Sequence, residues 1–183
     1  QSALHVLRER FTRRTLDASI GMPVSISIGY AAATKGMTVE DVMAQADLAL
    51  YSAKMSGRDG VAVYSPEMGR ALKRRQFVES LLQTGMEEDR FILHYQPLVG
   101  AADNRVVGYE ALLRLRGPQG EMVSPTEFVP IAENLGLITK IGAWVLYTAT
   151  RDVAQLDGSP FVAINLSVEQ FRAGDIVSVV KDA

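Results

Sequence analysis

Large apolar residues occupy every second position of Val24-Ser25-Ile26-Ser27-Ile28-Gly29-Tyr30, which predicts a half-buried strand with Val24, Ile26, Ile28 and Tyr30 on one face. Ahead of it, residues 1–17 carry helix formers and scattered bases, a pattern broken by Gly21 and Pro23. Beyond Gly36 the period lengthens. Thr38, with Asp41 three residues on, has the form of a capping box, and Val39, Val42, Met43, Ala46, Leu50 and Ala53 then hold helical spacing up to Gly57. Asp59-Gly60 is a turn signal, and Val61 to Tyr64 reads as a short strand closed by Ser65-Pro66.

Residues 66–88 predict a charged helix in which Arg70, Lys73, Arg74 and Arg75 precede Phe77, Val78, Leu81 and Leu82. The basic cluster reads as a solvated helix face, and the domain junction is placed here. Two strands follow, Phe91 to Val99 and Val106 to Leu115, separated by a turn at Asp103-Asn104. Ser124-Pro125-Thr126-Glu127 supplies an N-cap, a proline at the first helical position and a glutamate placed to complete a capping box, for a helix ending at Gly136. Ile138, Ile141, Val145, Ala149, Val153 and Leu156 make the apolar stripe of the next helix, which Gly158 stops. Phe161 to Ser167 predicts a further strand, and Val168-Glu169-Gln170-Phe171 starts another helix. Strands followed by helices imply an α/β domain with a parallel sheet, in which functional groups gather at the carboxyl ends of the strands.

Composition narrows the function classes. The 183 residues are 48% hydrophobic and 22% charged, as in an ordinary globular protein. With 19 basic and 21 acidic residues, no whole-chain field attracts nucleic acid or an anionic membrane, so a phosphate-bearing ligand must be held by local groups. The absence of cysteine excludes disulfides and thiolate metal sites and suits a reducing, cytoplasmic compartment, while leaving hard metals on oxygen ligands open. No apolar run reaches the length of a membrane span, although a parent protein could be membrane-tethered through sequence not present here. The chain starts inside a helical pattern and stops after the uncapped apolar stretch Ile176 to Val180, so both ends read as cuts.

Polar residues late in the predicted strands of the second half are the candidate chemistry: Gln96, Glu110 with Arg114, and Asn165. Alternation puts Glu110 and Arg114 on one side of their strand, about 13 Å apart at roughly 3.3 Å per residue. The acid can hold a metal while the base meets a phosphate, and Asn165 offers a neutral oxygen beside a carboxylate around a hydrated magnesium ion. On these grounds a structural ion-pair role for the glutamate stands level with the metal role, and an asparagine at a strand end is more often a turn or cap residue. His94, between Leu93 and Tyr95, reads as a packed or hydrogen-bonded core side chain, and His5 has no supporting pattern.

Tyr95-Gln96-Pro97, Tyr109-Glu110-Ala111-Leu112-Leu113-Arg114, Ser124-Pro125-Thr126-Glu127-Phe128-Val129-Pro130 and Ile164-Asn165-Leu166-Ser167 stand in the order and spacing of EAL domains, whose signature triplet is here Glu110-Ala111-Leu112. The second half therefore resembles the start of that family. The resemblance implies an incomplete (β/α)8-type barrel that hydrolyses cyclic di-GMP to the linear dinucleotide pGpG with magnesium or manganese. It makes Glu110 catalytic and, with Asn165, a metal ligand. Gln96 and Arg114 become contacts to the dinucleotide, and Leu113 and Pro130 apolar walls against a base or ribose. Core packing for Leu113 and a helix break at Pro130 are the structural alternatives. The family's later acidic ligands and its lysine have no counterpart before Ala183.

Val24-Ser25-Ile26-Ser27-Ile28-Gly29, Ala46-Asp47-Leu48-Ala49-Leu50-Tyr51-Ser52-Ala53-Lys54 and Gly57-Arg58 likewise resemble the end of a GGDEF domain, a mixed α/β cyclase-like fold that makes cyclic di-GMP from GTP. Lys54 and Arg58 correspond to residues that approach the triphosphate. Four-residue spacing at a helix end can place both on one side, while cations there also complement the helix dipole. Asp59 stands where the family often has asparagine. The implied organisation is the end of a GGDEF domain at 1–65, an interdomain helix at 66–88 and the first part of an EAL domain at 89–183. The leading expectation is a phosphodiesterase module of a tandem protein binding cyclic di-GMP, with GTP and a homodimer as further partners. Its rivals are a degenerate nucleotide sensor, a parent dominated by diguanylate cyclase activity, and a fragment without independent function.

Overall fold

The computed structural model describes residues 3–6, 9, 25–172 and 176–183. The chain divides into two compact units, Gln1–Arg74 and Arg75–Ala183, and the division falls within one helix, α2 (Pro66–Thr84). Residues 3–6 and 9 are helical as the sequence predicts; the remainder of the expected first helix, its break at Gly21 and Pro23, and Val24 lie outside the described residues.

In the first unit, strand β1 (Ile28–Tyr30) runs parallel to β2 (Val61–Val63), and helix α1 (Val39–Met55) connects them. The Thr38–Asp41 capping box is present: the Asp41 N–H donates to Thr38 Oγ1 at 3.1 Å and the Thr38 N–H to Asp41 Oδ2 at 3.0 Å. These bonds from Thr38 hold the Asp41 carboxyl below the usual carboxylate range. The apolar stripe is narrower than the spacing predicts. Val39 and Met43 are exposed, whereas Ala49 and Ala53 are buried, because the inner face of α1 must be small. A Cβ on Gly29 would lie 2.2 Å from the Leu50 nitrogen and 2.3 Å from the Ala46 oxygen, so β1 meets the backbone of α1 where neither element has a side chain to separate them. Tyr30, expected on the buried face, is exposed.

In the second unit, β3 (Phe91–Val99) and β4 (Val106–Arg116) form an antiparallel pair. Their loop is closed by the Gly100 N–H on the Arg105 oxygen and by Asn104 in the left-handed region. The β3–β4 pair departs from the parallel sheet expected: a short turn can reverse a chain, whereas a parallel neighbour needs a crossover, which in this unit precedes β6 (Phe161–Ile164). It pairs parallel with β4 after α3 (Pro125–Asn134) and α4 (Ile138–Val153), while β5 (Met122–Val123) pairs antiparallel with the end of β4. Helices α5 (Val168–Arg172) and α6 (Ile176–Asp182) follow.

Alternation along β3 and β4 turns Phe91, Leu93, Leu113 and Leu115 to the helices, where they meet Val78, Leu82, Phe128, Ile131, Ile141 and Val145 in one core. Ser124 and Pro125 open α3, but Ser124 Oγ is engaged with Thr126 Oγ1 at 2.8 Å and caps no backbone group, so the expected capping box is absent. Pro130 lies inside α3 without ending it. Leu156, beyond the end of α4, is exposed and outside the stripe.

Candidate functional site

The sheet face opposite the core carries the polar candidates. In the β3–β4 ladder Gln96 stands directly across from Glu110, His94 from Leu112 and Ile92 from Arg114, so these side chains share a face by strand alternation. Glu110 also pairs with Ala163 of β6, which brings Asn165, two residues on, to the same face. There the Asn165 amide Nδ2 donates to Glu110 Oε1 at 2.7 Å across 55 residues of sequence. Two expectations change in detail. Glu110 is mid-strand in β4 rather than near its end, and Asn165 lies just past β6, which ends at Ile164. His94 is exposed and not a core side chain: Leu93 and Tyr95 take the helix-facing positions, so the residue between them must face away.

A cleft of about 450 Å³ opens at the carboxyl end of β4 and β6. Leu113 and Arg114 of β4 wall it on one side, Pro125, Val129 and Glu133 of α3 on another, and Asn165 to Ser167 with Gln170 close it. Of the sequence-predicted residues it therefore gathers Leu113, Arg114 and Asn165; Glu110 adjoins it through the Asn165 contact, and Gln96 stands across the ladder from Glu110. Pro130 is exposed and does not line it, whereas Pro125 and Val129 do. Leu113 also packs against the core, so its structural role and its place in the cleft coexist. Arg114 Nη1 donates to its neighbour's carbonyl, Leu113 O, at 3.0 Å, and among the described residues no carboxylate pairs with it.

The oxygen donors fit a divalent cation in part. Hard cations take carboxylate and amide oxygens, and magnesium keeps several waters. Glu110 provides the carboxylate, and turning the Asn165 amide over would present its oxygen in place of its nitrogen. Among the described residues no three His, Cys, Asp or Glu side chains converge on one point.

Residues that sequence reasoning missed hold the loop after β6. Ser167 Oγ donates to Glu133 Oε1 at 2.5 Å, and the Ser167 N–H donates to Gln170 Oε1 at 2.9 Å. Gln170 is a buried polar side chain, 4% exposed, and fits because residue 142 is glycine. Only the short Ser167–Gln170 spacing, a cap pattern, was available as a signal. Behind β3, the Tyr95 hydroxyl donates to Asp152 Oδ2 at 2.9 Å, tying the sheet to α4. Burial, and then that bond, push the Tyr95 phenol above its ordinary value. The hydrogen bond from Arg151 holds the Asp152 carboxyl below the usual range.

In the first unit Lys54 is exposed in the last turn of α1, where it complements the helix dipole. Arg58 lies beyond the helix end with φ +63°, in a turn with Gly57 and Asp59 that are also left-handed. Helical four-residue spacing therefore does not relate Lys54 to Arg58.

Residues 79–183 match the family described as EAL domain, and residues 1–60 match the family described as diguanylate cyclase, GGDEF domain. An uncharacterized signaling protein of Caulobacter vibrioides is 40% identical over 147 residues, covering 80% of this chain and 18% of that protein. The bifunctional diguanylate cyclase/cyclic di-GMP phosphodiesterase MucR of Pseudomonas aeruginosa is 39% identical over 166 residues, 87% of this chain and 24% of that protein. The cyclic di-GMP phosphodiesterase PdeR of Escherichia coli is 32% identical over 189 residues, 99% of this chain and 28% of that protein. The chain thus spans 18% to 28% of the length of these relatives. Among solved structures, a MucR phosphodiesterase in complex with cyclic di-GMP has a TM-score of 0.53 at 37% identity, covering 57% of this chain and 44% of that one. The FimX EAL domain of Pseudomonas aeruginosa bound to cyclic di-GMP has a TM-score of 0.50 at 30% identity, with the same coverage. The second unit has the fold of part of such a domain. No helix among the described residues is long and apolar enough to cross a membrane.

Proposed function

Because the chain belongs to the EAL domain family and carries the end of a GGDEF domain ahead of it, we propose that its second half is part of a cyclic di-GMP phosphodiesterase requiring magnesium or manganese. The domain limits in this reading are 1–65 for the GGDEF part, 66–88 for the connecting helix and 89–183 for the EAL part. The observation that carries it is the Glu110–Asn165 contact on the open face of the sheet, with Gln96 across the ladder from the glutamate.

Glu110 and Asn165 are the residues that would hold the divalent ion. Such an ion, when bound, makes a water nucleophilic at neutral pH and offsets charge on the phosphoryl oxygens. Arg114 projects from the same face of β4, and its guanidinium forms the planar, two-point grip on a phosphate that lysine does not. Gln96 offers both a donor and an acceptor to the dinucleotide. Leu113, with Pro125 and Val129, provides the apolar wall of the cleft for a base or ribose, a role the sequence had given to Leu113 and Pro130. In the GGDEF part, the exposed cations Lys54 and Arg58 are assigned to the triphosphate of GTP.

The test is product identity. The full-length protein is incubated with cyclic di-GMP and magnesium, and the nucleotides are separated by chromatography; the expected product is the linear dinucleotide. Arg114→Lys is expected to weaken cyclic di-GMP binding by calorimetry. Tight binding without any linear product would instead favour a sensor, and unchanged affinity in Arg114→Lys would remove the phosphate role.

A further inference from the structure

Asn165 sits on an irregular segment, not on a strand, and a metal ligand on such a segment needs something to hold it. Its contact with Glu110 cannot do so during function. If both residues turn oxygens toward a cation, the Asn165 Nδ2–Glu110 bond is given up, and the segment must keep its place by other means. Two residues further on, at most about 7 Å of extended chain, Ser167 is held at two atoms. Its hydroxyl donates to Glu133 of α3, and its N–H donates to the buried amide of Gln170. The Ser167 Oγ also accepts from the Glu169 N–H at 3.2 Å, so its one proton is committed to Glu133. Glu133 is partly buried, lines the cleft, and has no arginine or lysine within bonding reach among the described residues.

We propose that Glu133, acting through Ser167, is a positioning residue that presents Asn165 to the divalent cation. This rests on the reading of Glu110 and Asn165 as metal ligands. Glu133 comes from α3 and Asn165 from the β6–α5 connection, so the tether couples the wall of the cleft to the ligand-bearing segment across 34 residues of sequence. What the contact needs from residue 133 is an acceptor oxygen at this reach rather than a negative charge, so glutamine should replace it and alanine should not.

The test measures manganese binding to the full-length protein by electron paramagnetic resonance, with no nucleotide present, so that it does not depend on turnover. Outer-shell partners of metal ligands typically account for about 10–100-fold in affinity. Glu133→Ala and Ser167→Ala are expected to weaken manganese binding about tenfold, with Glu133→Gln within about twofold of the wild type. Thermal melts accompany each variant; if Glu133→Ala fails to fold, Ser167→Ala and Glu133→Gln carry the comparison. Binding by Ser167→Ala equal to wild type, while Glu110→Gln binds weakly, would overturn the positioning role and leave the metal site standing. Glu133→Gln as weak as Glu133→Ala would also overturn it, because charge would then be the active property. Wild-type binding by Glu110→Gln and Asn165→Ala would overturn the metal site itself, and this inference with it.

Discussion

Gly142→Ala puts a methyl group where the amide of Gln170 now sits. The new Cβ would lie 2.0 Å from Gln170 Nε2, 2.6 Å from its Cδ and 3.0 Å from its Oε1. Ordinary contact needs well over an ångström more, and the backbone of α4 cannot retreat without disturbing Ile141 and Val145 of the core. The side chain of Gln170 must therefore leave, breaking its 2.9 Å bond to the Ser167 N–H. Leaving this part-buried donor unsatisfied costs toward the lower end of the about 1–3 kcal/mol of a buried one, while alanine for glycine within a helix returns about 0.5–1 kcal/mol. The expected net effect is a loss of up to about 2 kcal/mol. The sign should reverse once the obstacle is gone: in a Gln170→Ala background, Gly142→Ala is expected to stabilise by about 0.5–1 kcal/mol. Urea unfolding of the 183-residue chain, followed through its single tryptophan, Trp144, whose ring is 6.1 Å from Phe91 in the core, measures both arms of the cycle. An equal cost of Gly142→Ala in both backgrounds would refute the reasoning.

Gly29→Ala is expected to destabilise the first unit by at least about 1–3 kcal/mol, because the atoms it meets are backbone of α1; denaturant unfolding of the separate units reads this. Tyr95→Phe is expected to cost about 0.5–1 kcal/mol, discounted for the partial exposure of Asp152. The Tyr95 pKa is raised and the Asp152 pKa lowered, so the difference from wild type is full between the ordinary values of 3.8 and 10.0. It shrinks as pH falls below the lower value or rises above the upper one, and unfolding midpoints across pH check this. The 183-residue chain alone is expected to neither hydrolyse cyclic di-GMP nor make it from GTP, since groups that act as a unit give no proportionate activity when most are missing. Chromatography of each nucleotide after incubation with magnesium or manganese tests this, and turnover would mean that the site has been misplaced.

Local patterns carried much of the fold. The Thr38–Asp41 box, the alternation of β3 and β4 and the stripe from Ile138 to Val153 each depend on neighbours within a few residues, so they were legible in the sequence. Features set by long-range approach were not. That β3 turns back antiparallel follows from the Gly100–Arg105 closure, which the Asp103-Asn104 turn signal suggested but the strand–helix alternation obscured. The narrow stripe of α1 depends on Gly29 meeting its backbone, and Gly29 in sequence looks like any strand glycine. At the site, Gln96, Glu110, Arg114 and Asn165 were recognisable from motif order, and the ladder brings them to one face. Glu133 carried no such mark, because its partner is fixed only when α3 and the β6–α5 connection come together, and Gln170 carried only its three-residue spacing from Ser167. Pro130 is exposed and does not line this cleft: a motif gives residue order but not which side of a helix meets it.

The most direct test of the account is the rate of cyclic di-GMP hydrolysis by full-length protein carrying Glu110→Gln, measured against wild type at limiting and at saturating magnesium. The substitution keeps the size of the side chain and its place opposite Gln96 while removing the charge. The account predicts a loss of at least about 100-fold at limiting magnesium, with partial recovery as the ion is raised. Equal rates for the two proteins at limiting magnesium would contradict the claim that this glutamate holds the catalytic ion.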